Sequence, residues 1–453
     1  MKSLVQYLSE AKRYQIQISK LHLKHAQSRR LFSIEQDEVA LASVIRDEKR
    51  FAKLMAKTVA QGEYELKPAR LRTIVVNGKE RELFHFRLSD YLLHGVIADL
   101  ILELMLPNFS PCLYSYLKGR DWWKAVQNFS HYVRDYRQKV KDPKKRGIYV
   151  LRCDIKSYTD TIPVGNSSPV WEQLKELFKF YPSSKNELKI WGLIQQVLRP
   201  EVYIKKGQCF TKLEGVPTGS PISTTLFNFY LHPLDKMLDQ ISGAFYARYS
   251  DDLLFAHPEH KIVEQAKEQI NTMLKQLFLT TNPDKEKELF FNGAGRPCPL
   301  KRAKAAVVVD FLGCSVYFNA TVALKPEKLR VILEELRQRI LRTVQSIKDD
   351  NKEKAGKIIC HMINETLDPN SSRSQKYADF LRSIITNREQ LKQIDYLLAV
   401  LVLEGLTGSQ SPRGFRQYSY QKMRKKWGLI SLCHARNRFG RRLNDYEEVE
   451  SMV

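Results

Sequence analysis

The chain contains 453 residues, with 74 Lys or Arg against 50 Asp or Glu, so its formal net charge is +24. This length predicts two or three packed domains, and a hydrophobic content of 43% excludes a chain that is disordered throughout. The longest apolar runs fall well short of the ~18 residues that a membrane-spanning helix needs, and seven cysteines without a CxxC pair indicate neither a zinc ribbon nor a disulfide framework.

The excess of positive charge predicts a polyanionic partner, of which nucleic acid is the commonest. A basic surface that only keeps the protein in solution is the alternative. A membrane surface is disfavoured because the basic residues are spread along the chain and are not gathered on one amphipathic helix. The charged N-terminal stretch has no export signal, so we expect a cytoplasmic protein with no membrane partner.

Hydrophobic periodicity divides the chain into helical ends and a mixed middle. Residues 1–60 have apolar positions at helical spacing, and the chain beyond Lys325 is again predominantly helical. Between these ends, helical spacing recurs in five segments, each long enough for several turns. In chain order, these segments are 89–106, 121–136, 171–198, 223–238 and 261–278.

Runs of β-prone residues alternate with these helices. Two such runs around an Asn-Gly dipeptide, which suits a two-residue turn, predict a hairpin over 62–86, and 201–213 has the pattern of a second hairpin. The apolar run 148–155 (IYVLRCDI) predicts a buried strand. Segment 243–257 predicts strand–turn–strand with a small, acidic tip, and 305–318 predicts one further strand.

Three acidic residues stand where these strands end. Asp154 closes the apolar strand, and Asp251 and Asp252 occupy the predicted hairpin tip. Carboxylates presented at one end of two neighbouring strands can hold divalent cations, and hard oxygen ligands suit Mg²⁺. Two such ions roughly 4 Å apart can clamp the attacking and leaving oxygens of a phosphoryl transfer. The alternative is an ordinary turn, in which an Asp-Asp pair is common.

Six segments within residues 70–315 form an ordered series of motifs. They are RLSDYLLHGVIADLILELMLPNFSPCLYSYLKGR, YVLRCDIKSYTDTI, GVPTGSPISTTLFNFYLHPLD, RYSDDLLF, LTTNPDKEK and FLGCSV. Motif by motif and in order, they resemble reverse transcriptases of the bacterial and group II intron-like branch. The resemblance implies an α+β right-hand polymerase fold, with fingers, a palm built on an antiparallel sheet and a helical thumb. It also implies an RNA-directed DNA polymerase, a nucleotidyltransferase that adds dNTPs to a 3′-hydroxyl.

The resemblance also implies a role for each acidic residue. Asp154 and Asp251 would be the main ligands of two Mg²⁺ ions, with Mn²⁺ as the alternative metal. The carbonyl of Ile155 would complete one site, and Asp252 would add negative charge nearby. Lys285 is the candidate proton donor to the departing pyrophosphate; the alternative is a surface lysine in a loop rich in Lys and Glu.

Further residues are expected to hold the substrate. Lys79 and Arg81 are placed like fingers residues that hold the incoming triphosphate, unless they are only solvated hairpin charges. Gly215 and Gly219 permit backbone turns that larger residues would block. The remaining expected substrate-binding residues are Tyr158, Thr159, Pro217 and Thr218.

The sequence departs from the family pattern at three of the positions that we compared. Thr159 stands where the family has a bulky aromatic residue that rejects the ribose 2′-hydroxyl. Either Tyr158 takes over that role, or selection against ribonucleotides is weaker, because a smaller side chain leaves room for the hydroxyl. Thr218 replaces a Gln near the templating base pair, and Val76 replaces a residue that is often basic.

The end of the chain is strongly basic. The final stretch, 405–444, holds ten Lys or Arg and no acidic residue, interleaved with aromatic side chains, which favours contact with RNA or DNA. A solvated face or a helical cap over the thumb is the alternative. The expected contacts are Arg413, Arg416, Tyr420, Lys425, Lys426, Arg436 and Arg438.

The resemblance predicts a domain order from the N-terminus to the C-terminus. The domains are an N-terminal helical region (1–60), fingers (61–149), palm (150–325, with a fingers insertion at about 171–213), thumb (326–404) and a basic C-terminal extension (405–453).

Fingers, palm and thumb followed by an extra helical piece resemble the defence-associated reverse transcriptases of bacteria, in the abortive-infection and unknown-group classes. This implies DNA synthesis with a partner non-coding RNA in anti-phage defence. The implied partners are an RNA template, a DNA primer or product, dNTPs, and a partner protein or a second copy of the chain. Two alternatives stay open: an intron- or retroelement-encoded enzyme that serves mobility, and a catalytically silent relative that only binds nucleic acid.

Overall fold

The structure is a computed structural model, and it divides into two compact units. The first unit comprises Met1–Asp121 and Val150–Glu288, and the second comprises Trp122–Tyr149 and Leu289–Val453. Among the described residues, no helix combines the length and the apolar character that crossing a bilayer would require. The described residues are 3–26, 28, 31–32, 39–76, 79–182, 184–204, 208–300, 303–346, 351–367 and 384–434.

The first unit begins with the helices that the periodicity predicts. Helix α2 packs on α4 and also on the following long helix, α5. Tyr14 and Ile18 of α2 are fully buried in these contacts, as expected for one apolar stripe of an amphipathic helix. These helices are α1 (Leu4–Leu8), α2 (Ala11–His25), α3 (Leu41–Arg46), α4 (Glu48–Ala60) and α5 (Leu88–Met105).

The two predicted hairpins join into one four-stranded sheet of order β2-β1-β4-β5. Strands β1 and β2 pair in antiparallel register, with Arg72 opposite Leu83, and β4 runs parallel to β1. Buried Ala69, Phe84 and Val202 contribute to a small core on this sheet. The strands are β1 (Ala69–Val76), β2 (Lys79–His85), β4 (Glu201–Tyr203) and β5 (Cys209–Thr211).

Two of the segments with helical spacing each form two helices. The segment 171–198 forms α8 (Pro169–Phe178) and α9 (Lys185–Leu198), because α8 ends at a left-handed Lys179 and Ser184 caps the start of α9 through its hydroxyl. The segment 223–238 forms α10 (Ile222–Tyr230) and α11 (His232–Asp239). A proline in the first turn of α11 lacks the amide hydrogen that one continuous helix would need.

The second sheet carries the acidic residues. The strands β6 (Phe245–Tyr249), β7 (Asp252–His257), β3 (Ile148–Asp154) and β8 (Lys287–Phe291) are successive neighbours. Strand β3 is buried along almost its whole length, which explains why its sequence is dense in apolar residues. The helix α12 packs on β7. Two helices flank the strands: α7 (Tyr158–Thr161) and α12 (His260–Gln276).

In the second unit, the single strand predicted over 305–318 is wrong. Strand β8 pairs in parallel with β9, and a separate antiparallel sheet of order β10-β11-β12 follows. Leu312 and Gly313 both have a left-handed backbone, with φ of 49° and 77°, so the chain reverses there into a tight turn. The strands are β9 (Lys304–Ala306), β10 (Val308–Phe311), β11 (Cys314–Tyr317) and β12 (Val322–Leu324).

Helices make up most of the rest of the second unit, as predicted for the chain beyond Lys325. The helices α13, α14 and α15 pack against one another in pairs, and α16 packs on α14. Trp427, which follows α16, covers Gly356 of α14, where any side chain would collide with the indole ring. The helices of this unit are α6 (Trp122–Lys139), α13 (Pro326–Ser346), α14 (Lys352–Thr366), α15 (Arg388–Thr407) and α16 (Tyr420–Lys425).

Candidate active site

Asp154 and Asp251 are brought together by backbone pairing at the end of β3. Asp154 is the last residue of this strand, and Asp251 lies in the turn between β6 and β7. The amide of Ile155 donates a hydrogen bond to the carbonyl oxygen of Asp251, at 3.1 Å. Two residues that are remote in the chain therefore occupy one edge of the sheet, as the sequence predicts.

These two carboxylates lie in an environment that disfavours negative charge. Asp154 is only 7% exposed. Burial raises the pKa of Asp251, and the neighbouring carboxylates of Asp154 and Asp252 raise it further. A backbone hydrogen bond and the ammonium group of Lys285 act in the opposite direction. The edge of the sheet thus carries more negative charge than it can easily hold, which is the property of a cation-binding or phosphate-transferring centre.

Lys285 balances part of this charge directly. Its ammonium nitrogen lies 2.9 Å from both carboxylate oxygens of Asp154. The loop that carries Lys285 is fixed to the end of β3, since the amide of Asn282 donates to the carbonyl of Asp154 at 2.7 Å and the amide of Lys156 donates to the carbonyl of Thr280. The hydrogen bond to Asp154 raises the pKa of Lys285, so this side chain is protonated at neutral pH.

Asp252 is engaged by a different cation. Its carboxylate forms an ion pair with Arg152 of β3 at 3.2 Å, and about a quarter of each side chain is exposed. Among the described residues, no three His, Cys, Asp or Glu side chains are grouped as a preformed metal site. The metal-binding roles of Asp154, Ile155, Asp251 and Asp252 therefore stay predictions.

The hairpin that carries Asp251 is held by a buried ion pair. The guanidinium of Arg248 on β6 donates to both oxygens of Asp235 on α11, at 2.7 and 2.5 Å, and both side chains are fully buried. Arg248 also donates to the carbonyl of Ser250 at 3.1 Å, and the hydroxyl of Tyr246 donates to Asp235. This network fixes the residue immediately before Asp251. We assigned no role to Arg248 or Asp235 from the sequence, although an arginine inside an apolar strand needs a buried acidic partner.

Gly215 and Gly219 lie in a loop that packs against β2 and α7. Both have a left-handed backbone, with φ of 84° and 102°, and a Cβ atom on Gly219 would lie 2.8 Å from the carbonyl oxygen of Phe84. The amide of Phe84 donates to the carbonyl of Thr218 at 2.8 Å, and Pro217 is buried. The glycines are thus required for the close approach of this loop to β2.

The two candidates for selecting the sugar differ in accessibility. Tyr158 is buried, its ring packs on Phe227 at 5.7 Å, and its hydroxyl donates to the carbonyl of Phe227 at 2.7 Å. Thr159 is half-buried, and its carbonyl accepts from the amide of Val216 in the glycine loop. The hydroxyl of Tyr158 is therefore used within the fold, whereas the Thr159 side chain is partly open to solvent.

The predicted basic contacts are exposed wherever they are described. Arg81 is exposed on β2, opposite Ile74, whereas the side chain of Lys79 lies outside the described residues. In the C-terminal segment, Tyr420 is half-buried and the predicted basic residues are exposed. The exposed residues there are Arg413, Arg416, Lys425 and Lys426, and the residues outside the described ranges are Arg436 and Arg438.

We expect Arg248→Met to lower the free energy of unfolding by about 3–5 kcal/mol, because it leaves the Asp235 carboxylate buried without its cation. Chemical denaturation measures this loss. The matched control replaces both partners, as Arg248→Met with Asp235→Leu, and should lose less stability than Arg248→Met alone. A single variant as stable as the wild type would contradict the positioning role of this pair.

Several solved telomerase structures align with this chain. The structure of telomerase from Candida albicans, in complex with a TWJ fragment of telomeric RNA, aligns with a TM-score of 0.47 and 12% identity, over 81% of this chain and 63% of that one. Apo telomerase from Candida tropicalis aligns with a TM-score of 0.42 and 13% identity, over 82% and 62%. The structure of apo telomerase from Candida tropicalis truncated from its C-terminal domain aligns with a TM-score of 0.42 and 15% identity, over 58% of this chain and 56% of that one. This chain thus spans less than two thirds of the length of each.

No curated protein matches the chain. The family model of reverse transcriptases (RNA-dependent DNA polymerases) matches residues 85–316, which is about half of the sequence. The matched region contains the acidic edge of the sheet, the glycine loop and the Lys285 loop, and the α+β architecture is consistent with the right-hand polymerase fold that the sequence predicts. The chain belongs to the family of reverse transcriptases (RNA-dependent DNA polymerases).

Proposed function

We propose that Asp154 and Asp251 form the catalytic centre at which this polymerase extends a primer 3′-hydroxyl with dNTPs. One observation carries the proposal: the hydrogen bond from the Ile155 amide to the Asp251 carbonyl places the two acidic residues on one edge of a rigid sheet. A centre built on strand ends keeps its groups in fixed positions, and this pre-organisation is the main contribution that a protein can make to phosphoryl transfer.

The residues present fit divalent cations. Asp154 is buried and already attracts a cation in the form of Lys285, and Asp251 is a desolvated carboxylate beside two others. Asp154, Asp251 and the carbonyl of Ile155 would hold Mg²⁺, or Mn²⁺ in its place, with Asp252 adding charge. When bound, two such ions make the 3′-hydroxyl a better nucleophile and balance the charge on the reacting phosphate.

The protein supplies protons and positive charge from two sides. Lys285 is held in its protonated state on Asp154, so it has a proton to donate when pyrophosphate leaves. Arg81, and with it Lys79, would hold the triphosphate from β2. Since the amide of Phe84 binds the carbonyl of Thr218, β2 and the glycine loop would present the nucleotide to the acidic edge together.

We propose the domain division that the family pattern implies. Residues 61–149 would form the fingers, 150–325 the palm with a fingers insertion at about 171–213, and 326–404 the thumb. The helices at 1–60 would precede the fingers, and the basic extension 405–453 would contact RNA or DNA. This contact is supported by the exposure of four basic side chains of the extension, Arg413, Arg416, Lys425 and Lys426. A cytoplasmic location is supported by the seven cysteines, all of them within the described residues, because none forms a disulfide.

We propose further that the enzyme serves anti-phage defence in bacteria and copies a partner non-coding RNA. The support is the likeness of two segments, PNFSPCLYSYLKGR and GFRQYSYQKMRKKWGL, to the defence-associated branch. In the structure the second segment includes α16 and Trp427, which pack on α14. It is thus part of a folded unit, as a dedicated RNA-holding piece would be.

We expect Asp251→Asn to lower dNTP incorporation on a primed homopolymer template about 10³-fold or more, because the carboxylate is lost from the reacting centre. In metal-free buffer the same variant should melt no lower than the wild type, because it removes a partly buried negative charge beside Asp154 and Asp252. Asp252→Asn is the matched control and should lose less activity, since this carboxylate is engaged by Arg152. Wild-type incorporation by Asp251→Asn would refute the assigned centre.

Thr159→Phe should raise the preference for dNTPs over rNTPs about tenfold or more, because a bulky ring would occupy the space that the 2′-hydroxyl needs. Competition assays with labelled dNTP and rNTP measure this ratio. Tyr158→Phe is the control and should leave the ratio unchanged, since the Tyr158 hydroxyl already donates to Phe227. If Tyr158→Phe changed the ratio and Thr159→Phe did not, the selecting residue would be Tyr158.

In a bacterial host, expression of the wild-type chain with its neighbouring genomic DNA should lower phage plaque counts, and Asp251→Asn in the same DNA should restore them. Sequencing of newly made DNA, with and without infection, identifies the copied RNA. Equal plaque counts for the wild type and Asp251→Asn across a broad phage panel, while the purified enzyme stays active, would contradict the defence role but not the polymerase activity.

A further inference from the structure

A pocket between α15 and the C-terminal segment joins aromatic side chains to cations. Its cavity of about 480 Å³ falls in the size range of small-molecule sites. The lining residues that matter here are Arg388, Lys392, Tyr396, Phe415, Tyr420 and Arg424. All of them lie in the second unit, outside the region that matches the family model.

The walls of this pocket are held by contacts of their own. Asp395 on α15 is buried and accepts hydrogen bonds from the hydroxyl of Ser431 at 2.5 Å and from the amide of Leu432 at 2.7 Å. On the other side of α16, Lys422 and Trp427 both bind Glu353, at 2.7 and 2.8 Å. The pocket is therefore built into the fold, and its one buried carboxylate is already satisfied.

The aromatic side chains leave a surface for stacking. The rings of Tyr396 and Phe415 lie 5.9 Å apart and are tilted by 32°. Tyr396 is 48% exposed, although it is a large apolar side chain beside a cavity. A planar base can stack on such a ring, and this contact tolerates any base, since every base has a π-face.

The cations around the rings differ in whether they form ion pairs. Among the described residues, no carboxylate forms an ion pair with Arg388 or Arg424, whereas Lys392 pairs with Glu389 at 2.8 Å. Arg424 stacks over the ring of Tyr420 at 5.9 Å. Its Nε atom is buried and has no hydrogen-bond partner within the part of the chain that the structure describes. A buried donor of this kind is completed when a ligand supplies an acceptor.

We propose that this pocket binds one unpaired nucleotide of a single-stranded nucleic acid, with the base on Tyr396 and the phosphate on Arg388 and Arg424. Charge complementarity and the neighbouring aromatic rings favour this ligand over an acidic peptide, which would have no use for a stacking surface. The strand is either an RNA held by the enzyme or its DNA product, which share this chemistry. The inference rests on the proposed function, because this pocket would be the site at which the polymerase holds its RNA or its DNA product.

The test measures binding of labelled oligo(rU) and oligo(dT) to the full-length chain by fluorescence anisotropy, without dNTPs. Tyr396→Ala should weaken the binding of at least one oligonucleotide fivefold or more, and Arg388→Gln should weaken it and reduce its salt dependence by about one counterion. Tyr181→Ala is the matched control, because Tyr181 is an 87% exposed tyrosine of the first unit, and should bind like the wild type. Tighter binding of RNA assigns the pocket to the held RNA, and tighter binding of DNA assigns it to the product.

Two results would overturn the inference. One is unchanged binding by Tyr396→Ala and Arg424→Gln, with melting curves like the wild type. The other is displacement of the oligonucleotides by poly-glutamate as effectively as by unlabelled oligonucleotide, which would indicate a general anion or protein site. Incorporation of dNTPs on a primed homopolymer separates the two proposals. If the wild type is active and the variants bind oligonucleotides as it does, only the pocket proposal is refuted. If the wild type is inactive, the proposed function is refuted.

Discussion

The acidic edge of the sheet depends on one buried ion pair, between Arg248 and Asp235. Two fully buried charges are costly in a protein interior unless each satisfies the other and their remaining hydrogen bonds are made. Here the guanidinium binds both carboxylate oxygens and also the carbonyl of Ser250. Because every hydrogen-bonding group of this pair needs a partner, the hairpin has little conformational freedom. Because Ser250 directly precedes Asp251, the position of the proposed catalytic carboxylate follows from a salt bridge that has no part in the chemistry.

The same edge shows how a site can be stable while its charges repel one another. Asp154 and Asp251 lie together in a desolvated environment, which opposes folding, and the cations Lys285 and Arg152 offset part of this repulsion. The compensation is local and incomplete. An unfavourable charge arrangement that the rest of the fold holds in place is what distinguishes a functional site from a structural ion-pair network.

Much of this arrangement could be predicted from the sequence, because the determining signals are local. Asp154 ends a strand that is dense in apolar residues, and the small, acidic tip at Asp251 marks a turn between two strands. The single strand predicted over 305–318 is wrong for a local reason that periodicity does not register, since the chain reverses at left-handed Leu312 and Gly313. Periodicity likewise does not show that the helical segment 223–238 is divided near the proline in the first turn of α11. The pairing of Arg248 with Asp235 could not be predicted, since many acidic residues lie within reach of one buried arginine before the fold is known.

Trp427 gives the C-terminal segment a property that a loose basic tail would lack. Its indole ring rests on Gly356 and binds Glu353 of α14, so the segment is ordered only while the helical bundle is. A ligand that binds this segment therefore stabilises the bundle as well, by a free energy that grows with the logarithm of the ligand's concentration. Binding of a nucleic acid and the stability of the second unit are then thermodynamically coupled. In a cell that lacks the bound nucleic acid, the second unit would be degraded sooner.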